Sequence, residues 1–386
     1  MTLALEDIKV LDLGTLTPGK YCTFLLGDLG AKVIRIERPV SYTPESGGLS
    51  DEDLILNRNK KSITLNLSTD EARQVFYQLS GKADVILESH RPGAAKRMGV
   101  DYETIKKINP QIIYCALSGY GQEGPYHQLP GFDIVFMAIG GLLALVGGHN
   151  QPPIIPGLYL SDTAAGLLAT IGILSALLAR EKTGKGQFVD ISMLDAVVSW
   201  LSIGHGIQYI AAEPPPRRED PMLMGLVPGY NIYETKDAKY IALGIGRQQS
   251  WESLRKALGR EDLADHERAT GEQREETLSL LKQTFKTKTR DEWFRELKAL
   301  DIEVGPVNTP DEALSDPQVL YRRMVVEVDH PVRGKTRQVG IPIKFSKTPG
   351  EIRGTAPLIG QDTQEVLQEL GFTRRHIEEL RKAKAI

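Results

Sequence analysis

The stretch IKVLDLGTLTPGKYCTFLLGDLGAKVIRIE, residues 8–37, decides the fold. Its first six residues, IKVLDL, are mostly β-branched or apolar and end at Gly14. A loop, TLTPGK, then leads into the helical stretch YCTFLLGDLG and a second strand, AKVIRIE. A crossover of that length argues for parallel strands with the helix lying on a sheet face. Working outward, SITLNL (62–67), ADVILES (83–89) and QIIYCALS (111–118) read as three more strands, and a helix capped at Ser68 or Thr69 runs to Leu79. Residues 1–120 are therefore expected to form a doubly wound α/β core.

From residue 134 the chain turns glycine-rich and apolar, IVFMAIGGLLALVGG, and then enters a helix, TAAGLLATIGILSALLAREK. That helix is apolar on nearly every turn, so it is expected to be buried on several sides. GQFVDISML and a helix from Asp195 to about Ile210 close the first part. The prolines of AAEPPPRREDP (211–221) stop any helix, and the stretch reads as a semi-rigid linker. This organisation gives a large domain over 1–210, a linker over 211–227, a small α+β domain over 228–315 and a C-terminal part over 316–386. In the small domain YNIYE and KYIALGI are expected strands, with SWESLRKALG, EETLSLLKQTFK and DEWFRELKAL as amphipathic helices. After Asp316, RMVVEVD and IPIKFS are expected strands and HIEELRKAKAI a closing helix.

The 386 residues are 41% hydrophobic and 25% charged, proportions of a globular protein. A net charge of −3 points away from nucleic acid and from a polybasic membrane surface. The start, MTLALEDIKVLDLG, lacks a basic region followed by an apolar run, and no uninterrupted apolar run reaches the ~18 residues of a membrane span. A cytoplasmic location is the expectation. Cys22 and Cys115 make neither a disulfide framework nor a zinc set, and the seven histidines show no HxxxH or HExxH spacing, so no metal is expected.

Glu37, closing the second strand, lies where a dinucleotide fold would hold a ribose. The first turn, Gly14-Thr-Leu-Thr-Pro-Gly19, does not support that reading: it lacks GxGxxG, and Pro18 removes an N–H that a pyrophosphate would need. Neither a phosphate-binding GxxxxGK[ST] loop nor a GxSxG elbow occurs. Positive charge nevertheless gathers near the strand ends: Arg35 and Arg38, then Arg58, Lys60 and Lys61, then Arg91, Lys96 and Arg97. Singly each reads as a solvated surface charge; together they suit the crevice where open α/β sheets bind phosphorylated ligands.

NRNKKSITLNL (57–67), DVILESHRPGAAKRMG (84–99), SGYGQEGPY (118–126), PGFD (130–133), GLYLSDTAAG (157–166), LLAREKTGKGQFVDISMLDA (177–196) and PLIGQDTQEVLQELG (357–371) together resemble the family III CoA transferases. The resemblance runs from residue 8 to the C-terminus. It implies an interlocked, ring-like homodimer, with a Rossmann-like large domain built from both chain ends and a small domain returning near Leu314 to Pro317. It implies acyl-CoA and carboxylic acid substrates, with coenzyme A as the carrier. Arg38, Lys60, Lys61, Arg91 and Arg97 then become the expected contacts to the nucleotide end of CoA, and Thr17, Pro18, Phe132 and Gly141 the expected lining of the substrate pocket.

By spacing alone Asp162 reads as the N-cap of the helix TAAGLLATIG, held ionised by the positive helix end. The resemblance makes the same residue catalytic. Its carboxylate would attack an acyl-CoA thioester to give a mixed anhydride, which the departing CoA converts to an aspartyl-CoA thioester before an acceptor acid reverses both steps. Racemase members of the family pair this aspartate with a histidine, a position held here by Phe132, and with a supporting glutamate near Gly246 or Arg247. No acidic residue occurs between Lys239 and Trp251. Formyl-CoA transferases carry a glutamine where Thr17 stands. An α-methylacyl-CoA racemase-type epimerase and a non-catalytic CoA-binding scaffold remain the alternatives to a transferase.

Overall fold

A computed structural model describes residues 2–39, 50–148, 151–204, 206–211, 225–264, 266–267 and 269–386. Six strands form one sheet: β1 (Lys9–Leu13), β2 (Lys32–Glu37), β3 (Lys60–Thr64), β4 (Val85–Glu88), β5 (Ile113–Ser118) and β6 (Gln187–Ser192). Their order is β3-β2-β1-β4-β5-β6 and every pairing is parallel. Every residue of β4 and β5 is buried, as befits central strands covered on both faces.

Strand alternation sends Leu11, Ile36, Ile63 and Ile86 to one face, where Phe76 and Leu79 of helix Asp70–Ser80 and Val366, Leu367, Ile377 and Leu380 of the C-terminal helices complete the core. The opposite face carries helix Thr17–Asp28 and helix Leu160–Thr183. The two helices pack closely because Gly166 has no side chain: a Cβ there would stand 2.9 Å from the Pro18 carbonyl. The longer helix runs from the carboxyl end of β5 back toward the start of β6, burying Ala164, Ala165, Ala169, Ile173 and Ala176. It is long and apolar enough to cross a membrane by length and composition, at a mean hydropathy of 1.7 over its most apolar window.

Contacts divide the chain into two units, one of Met1–Gly141, Pro156–Ser199 and Pro317–Ile386, the other of Leu142–Ile155 and Trp200–Asp316. The helix expected to run on to Ile210 stops at Ser199 and gives way to a 3₁₀ turn, Trp200–Ser202, which is where the second unit resumes. Of the linker at 211–227, residues 212–224 lie outside the described residues. The second unit holds an antiparallel sheet in the order β7 (Tyr230–Glu234), β8 (Tyr240–Gly244), β9 (Val304–Pro306), packed through Trp251, Leu281, Phe285 and Trp293 of its helices.

Two expected strands differ. The third begins at Lys60, before Ser62. IPIKFS is not a strand: β10 (Val325–His330) pairs at once with β11 (Gly334–Val339), because Gly334, at φ +70°, lets the chain reverse immediately. Pro342 in IPIKFS has no N–H to give a ladder.

Candidate active site

The site is built at the carboxyl ends of the strands. Asp12, buried near the end of β1, accepts the Gly14 N–H at 2.8 Å and the Thr23 hydroxyl at 2.6 Å, which pins the first loop. A Cβ on Gly14 would sit 2.9 Å from that carboxylate. The Thr15 N–H donates to Ser89 Oγ at 3.0 Å, tying this loop to the one after β4. There the Glu88 carboxylate accepts the His90 N–H at 2.6 Å, and burial pushes its pKa up to about 7.

The basic residues separate into two groups. Arg38, just past β2, and Arg91 and Arg97, after β4, are exposed and have no acidic partner among the described residues. Lys60 and Lys61 do not join them, which corrects the expectation. Alternation turns Lys60 into the helix face, where its buried ammonium meets Asp12 at 3.2 Å, Thr23 Oγ1 at 2.7 Å and Asn57 Oδ1 at 3.2 Å. Burial and the neighbouring Arg35 lower its pKa to about 8 against the pull of Asp12. Lys61, the second residue of β3, lies at the amino edge of the sheet and is shared by Glu365 and Glu369, both at 3.1 Å. Arg58 is likewise occupied, fully buried against Asp28 at 2.6 Å.

Asp162 is not an N-cap. Helix Leu160–Thr183 begins two residues earlier, and Tyr159 at its cap position makes no side-chain cap. The first N–H groups are satisfied from elsewhere in the chain: Asp133 Oδ1 accepts the Ser161 N–H at 2.7 Å, the Ser161 hydroxyl at 2.7 Å and the Asp162 N–H at 3.3 Å. Asp133 thus does the capping that Asp162 was expected to do. The Asp162 carboxylate, half-buried in the first helical turn, accepts no hydrogen bond from the described residues. Burial first, then the charges of Asp133 and Glu52, raise its pKa to about 6, so the helix terminus does not hold it in the usual carboxylate range.

Asp133, Ser161 and Glu52 escaped the sequence reading. Asp133 stands in PGFD, but no spacing says that it caps a helix starting 27 residues on. Glu52 belongs to helix Asp51–Leu56, opened by a Ser50 capping box; it accepts the Thr17 hydroxyl at 3.2 Å and pairs with Lys20 at 3.5 Å. Thr17 and Pro18 open helix Thr17–Asp28, whose first turn lies on Gly166, one turn along from Asp162. Phe132 precedes Asp133 as the cap of helix Asp133–Ile139 and is 76% exposed. Gly141, at φ +81°, lies past the other end of that helix.

In the second unit Arg247 pairs with Glu303, the residue immediately before β9. An acid therefore does stand beside Arg247, where counting between Lys239 and Trp251 found none. Among the described residues no group of three or more His, Cys, Asp or Glu side chains could hold a metal ion.

A family model described as CoA-transferase family III matches residues 5–363. The chain belongs to this family. The sequence of this family III CoA-transferase is 35% identical over 393 residues to human succinyl-CoA:glutarate CoA-transferase, covering 98% of this chain and 89% of that protein. It is 34% identical over 418 residues to formyl-CoA:oxalate CoA-transferase of Escherichia coli O157:H7, covering 100% of both. The crystal structure of a CAIB/BAIF family protein from Brucella suis superposes with a TM-score of 0.84 at 30% identity, over 96% of this chain and 100% of that one.

Proposed function

We propose that Asp162 carries the acyl group and then the CoA in this enzyme's transfer reaction. The observation that carries the reading is the division of labour at the start of helix Leu160–Thr183: Asp133 accepts the Ser161 and Asp162 N–H groups, and the Asp162 carboxylate has no hydrogen-bond partner among the described residues. A nucleophile must keep a lone pair free. Asp162 attacks the thioester carbonyl and CoA thiolate leaves, giving a mixed anhydride. The thiolate attacks the aspartyl carbonyl, releasing the donor acid and forming an aspartyl-CoA thioester. The acceptor carboxylate attacks that thioester, and the returning thiolate takes the acyl group from the second anhydride. Each step exchanges one acyl bond for another, and Asp162 is regenerated.

Arg38, Arg91 and Arg97 bind the phosphates of CoA in this reading, supported by their exposed guanidinium groups in the segments that follow β2 and β4. Several relatives are named for succinyl-CoA with glutarate, malate or mesaconate, which supports succinyl-CoA as donor and a short dicarboxylic acid as acceptor. The homodimer proposed with it, interlocked as the family resemblance implies, would cover apolar side chains now exposed, including Ile171 and Leu178 of the long helix and Tyr321.

Phe132 has no proton to give, so the enzyme does not run α-epimerisation. A 2-methylacyl-CoA kept with it in heavy water should gain no α-deuterium. The central test is transfer from succinyl-CoA to a panel of acids. Wild type should form new CoA esters, and Asp162→Ala should lose at least a thousandfold in rate while still binding CoA. Hydroxylamine added during turnover should convert Asp162 to its hydroxamate, visible by peptide mass. Transfer by Asp162→Ala within tenfold of wild type refutes the assignment.

A further inference from the structure

The site described above uses the carboxyl ends of the strands. At the amino ends of β1 and β2, a groove of about 610 Å³ opens between helix Asp70–Ser80 and helix Thr363–Glu369. Both helices lie on the same sheet face, and the groove between them is floored by the buried Leu11 and the half-buried Ile34. Leu11 and Ile34 face this gap, with Leu79 on one wall and Val366 and Leu370 on the other.

The charge at the mouth of the groove is unusual. Alternation puts Lys9 and Lys32 on the same face as Leu11 and Ile34, and the strand register sets Lys9 directly opposite Lys32. Both side chains are exposed, so the two ammonium groups stand side by side at the rim of the groove. Lys61, from the next strand, is neutralised by Glu365 and Glu369. Lys9 and Lys32 have no acidic side chain paired with their ammonium groups among the described residues, and neither has Lys82, which lines the same groove. All three lysines are exposed and solvated, and they form a locally cationic rim around the apolar floor, with Glu369 of the helix wall held by Lys61 at 3.1 Å.

We propose that this groove binds an amphipathic carboxylate, with the anionic head between Lys9, Lys32 and Lys82 and the hydrocarbon chain over Leu11 and Ile34. The size falls within the range of small-molecule pockets, and an apolar lining with a few convergent polar groups is what such a ligand requires. A small inorganic anion would leave the floor unused, and a neutral hydrocarbon would leave the cationic rim unused. The site is separate from the one that holds Asp162, because it lies at the opposite edge of the parallel sheet.

The test is calorimetric titration of the whole enzyme with decanoate, with saturating CoA present to occupy the transfer site. One decanoate should bind per chain. Lys32→Glu and Lys82→Glu should each weaken it at least tenfold, Lys32→Arg should keep the affinity within threefold, and Ile34→Trp should block it. Decanol, which lacks the charge, should bind at least tenfold more weakly than decanoate. Transfer activity without decanoate should be the same in Lys32→Glu as in wild type. No binding, binding lost when CoA is present, or an affinity unmoved by both charge reversals would each overturn the proposal.

Discussion

Replacing Asp162 with asparagine should stabilise the protein while removing its activity. In the folded chain the carboxyl pKa is raised from 3.8 to about 6, by burial and by the nearby charges of Asp133 and Glu52. Unfolding relieves both, so above pH 6 the folded state alone bears the cost of the charge. The folded form binds this proton more tightly than the unfolded form. Its contribution therefore favours folding at low pH and is lost as the pH rises between about 4 and 6. At about 1.4 kcal/mol per pH unit the shift corresponds to roughly 3 kcal/mol at pH 8, an upper bound. Asparagine keeps the shape and drops the charge, but its amide gains no partner among the described residues, so a gain of about 1–3 kcal/mol remains. Urea unfolding of wild type and Asp162→Asn at pH 8 and pH 4 measures it directly. The variant should be more stable at pH 8, and the difference should shrink to near zero at pH 4. An equal difference at both values, or a less stable variant at pH 8, refutes the electrostatic account of this site.

Asp133→Asn keeps the oxygen that caps helix Leu160–Thr183 but removes a charge beside Asp162, so the acid limb of the pH–rate profile should move to lower pH. Asp133→Ala removes the cap as well and should cost about 1–2 kcal/mol of stability, read from denaturant midpoints. Lys60→Ala strands the buried Asp12 carboxylate and should destabilise by about 3–5 kcal/mol, whereas Arg38→Ala should leave the midpoint within 0.5 kcal/mol, on the order of other surface substitutions. Gly166→Ala drives a methyl against the Pro18 carbonyl; separation of the two helices should cost roughly 1–3 kcal/mol in thermal unfolding and raise the KM for the acyl-CoA.

The parallel core was legible because its signals are local. IKVLDL, AKVIRIE, ADVILES and QIIYCALS carry β-branched and apolar side chains in runs that only a strand covered on both faces can bury, and crossovers between them require a parallel sheet. Asp162 was legible as a residue of interest, but from local sequence it read as a cap. Capping depends on which acceptor reaches the free N–H groups, and tertiary packing brings Asp133 there from a loop and helix start 28 residues earlier. The fate of the lysines was hidden for a similar reason. Lys60 and Lys61 are adjacent and chemically identical, and the alternation of one strand sends the first into a buried network with Asp12 and the second to the helix that bears Glu365 and Glu369. Which face of β3 meets which helix depends on how distant segments pack, so only the folded chain decides which charges stay free for a ligand.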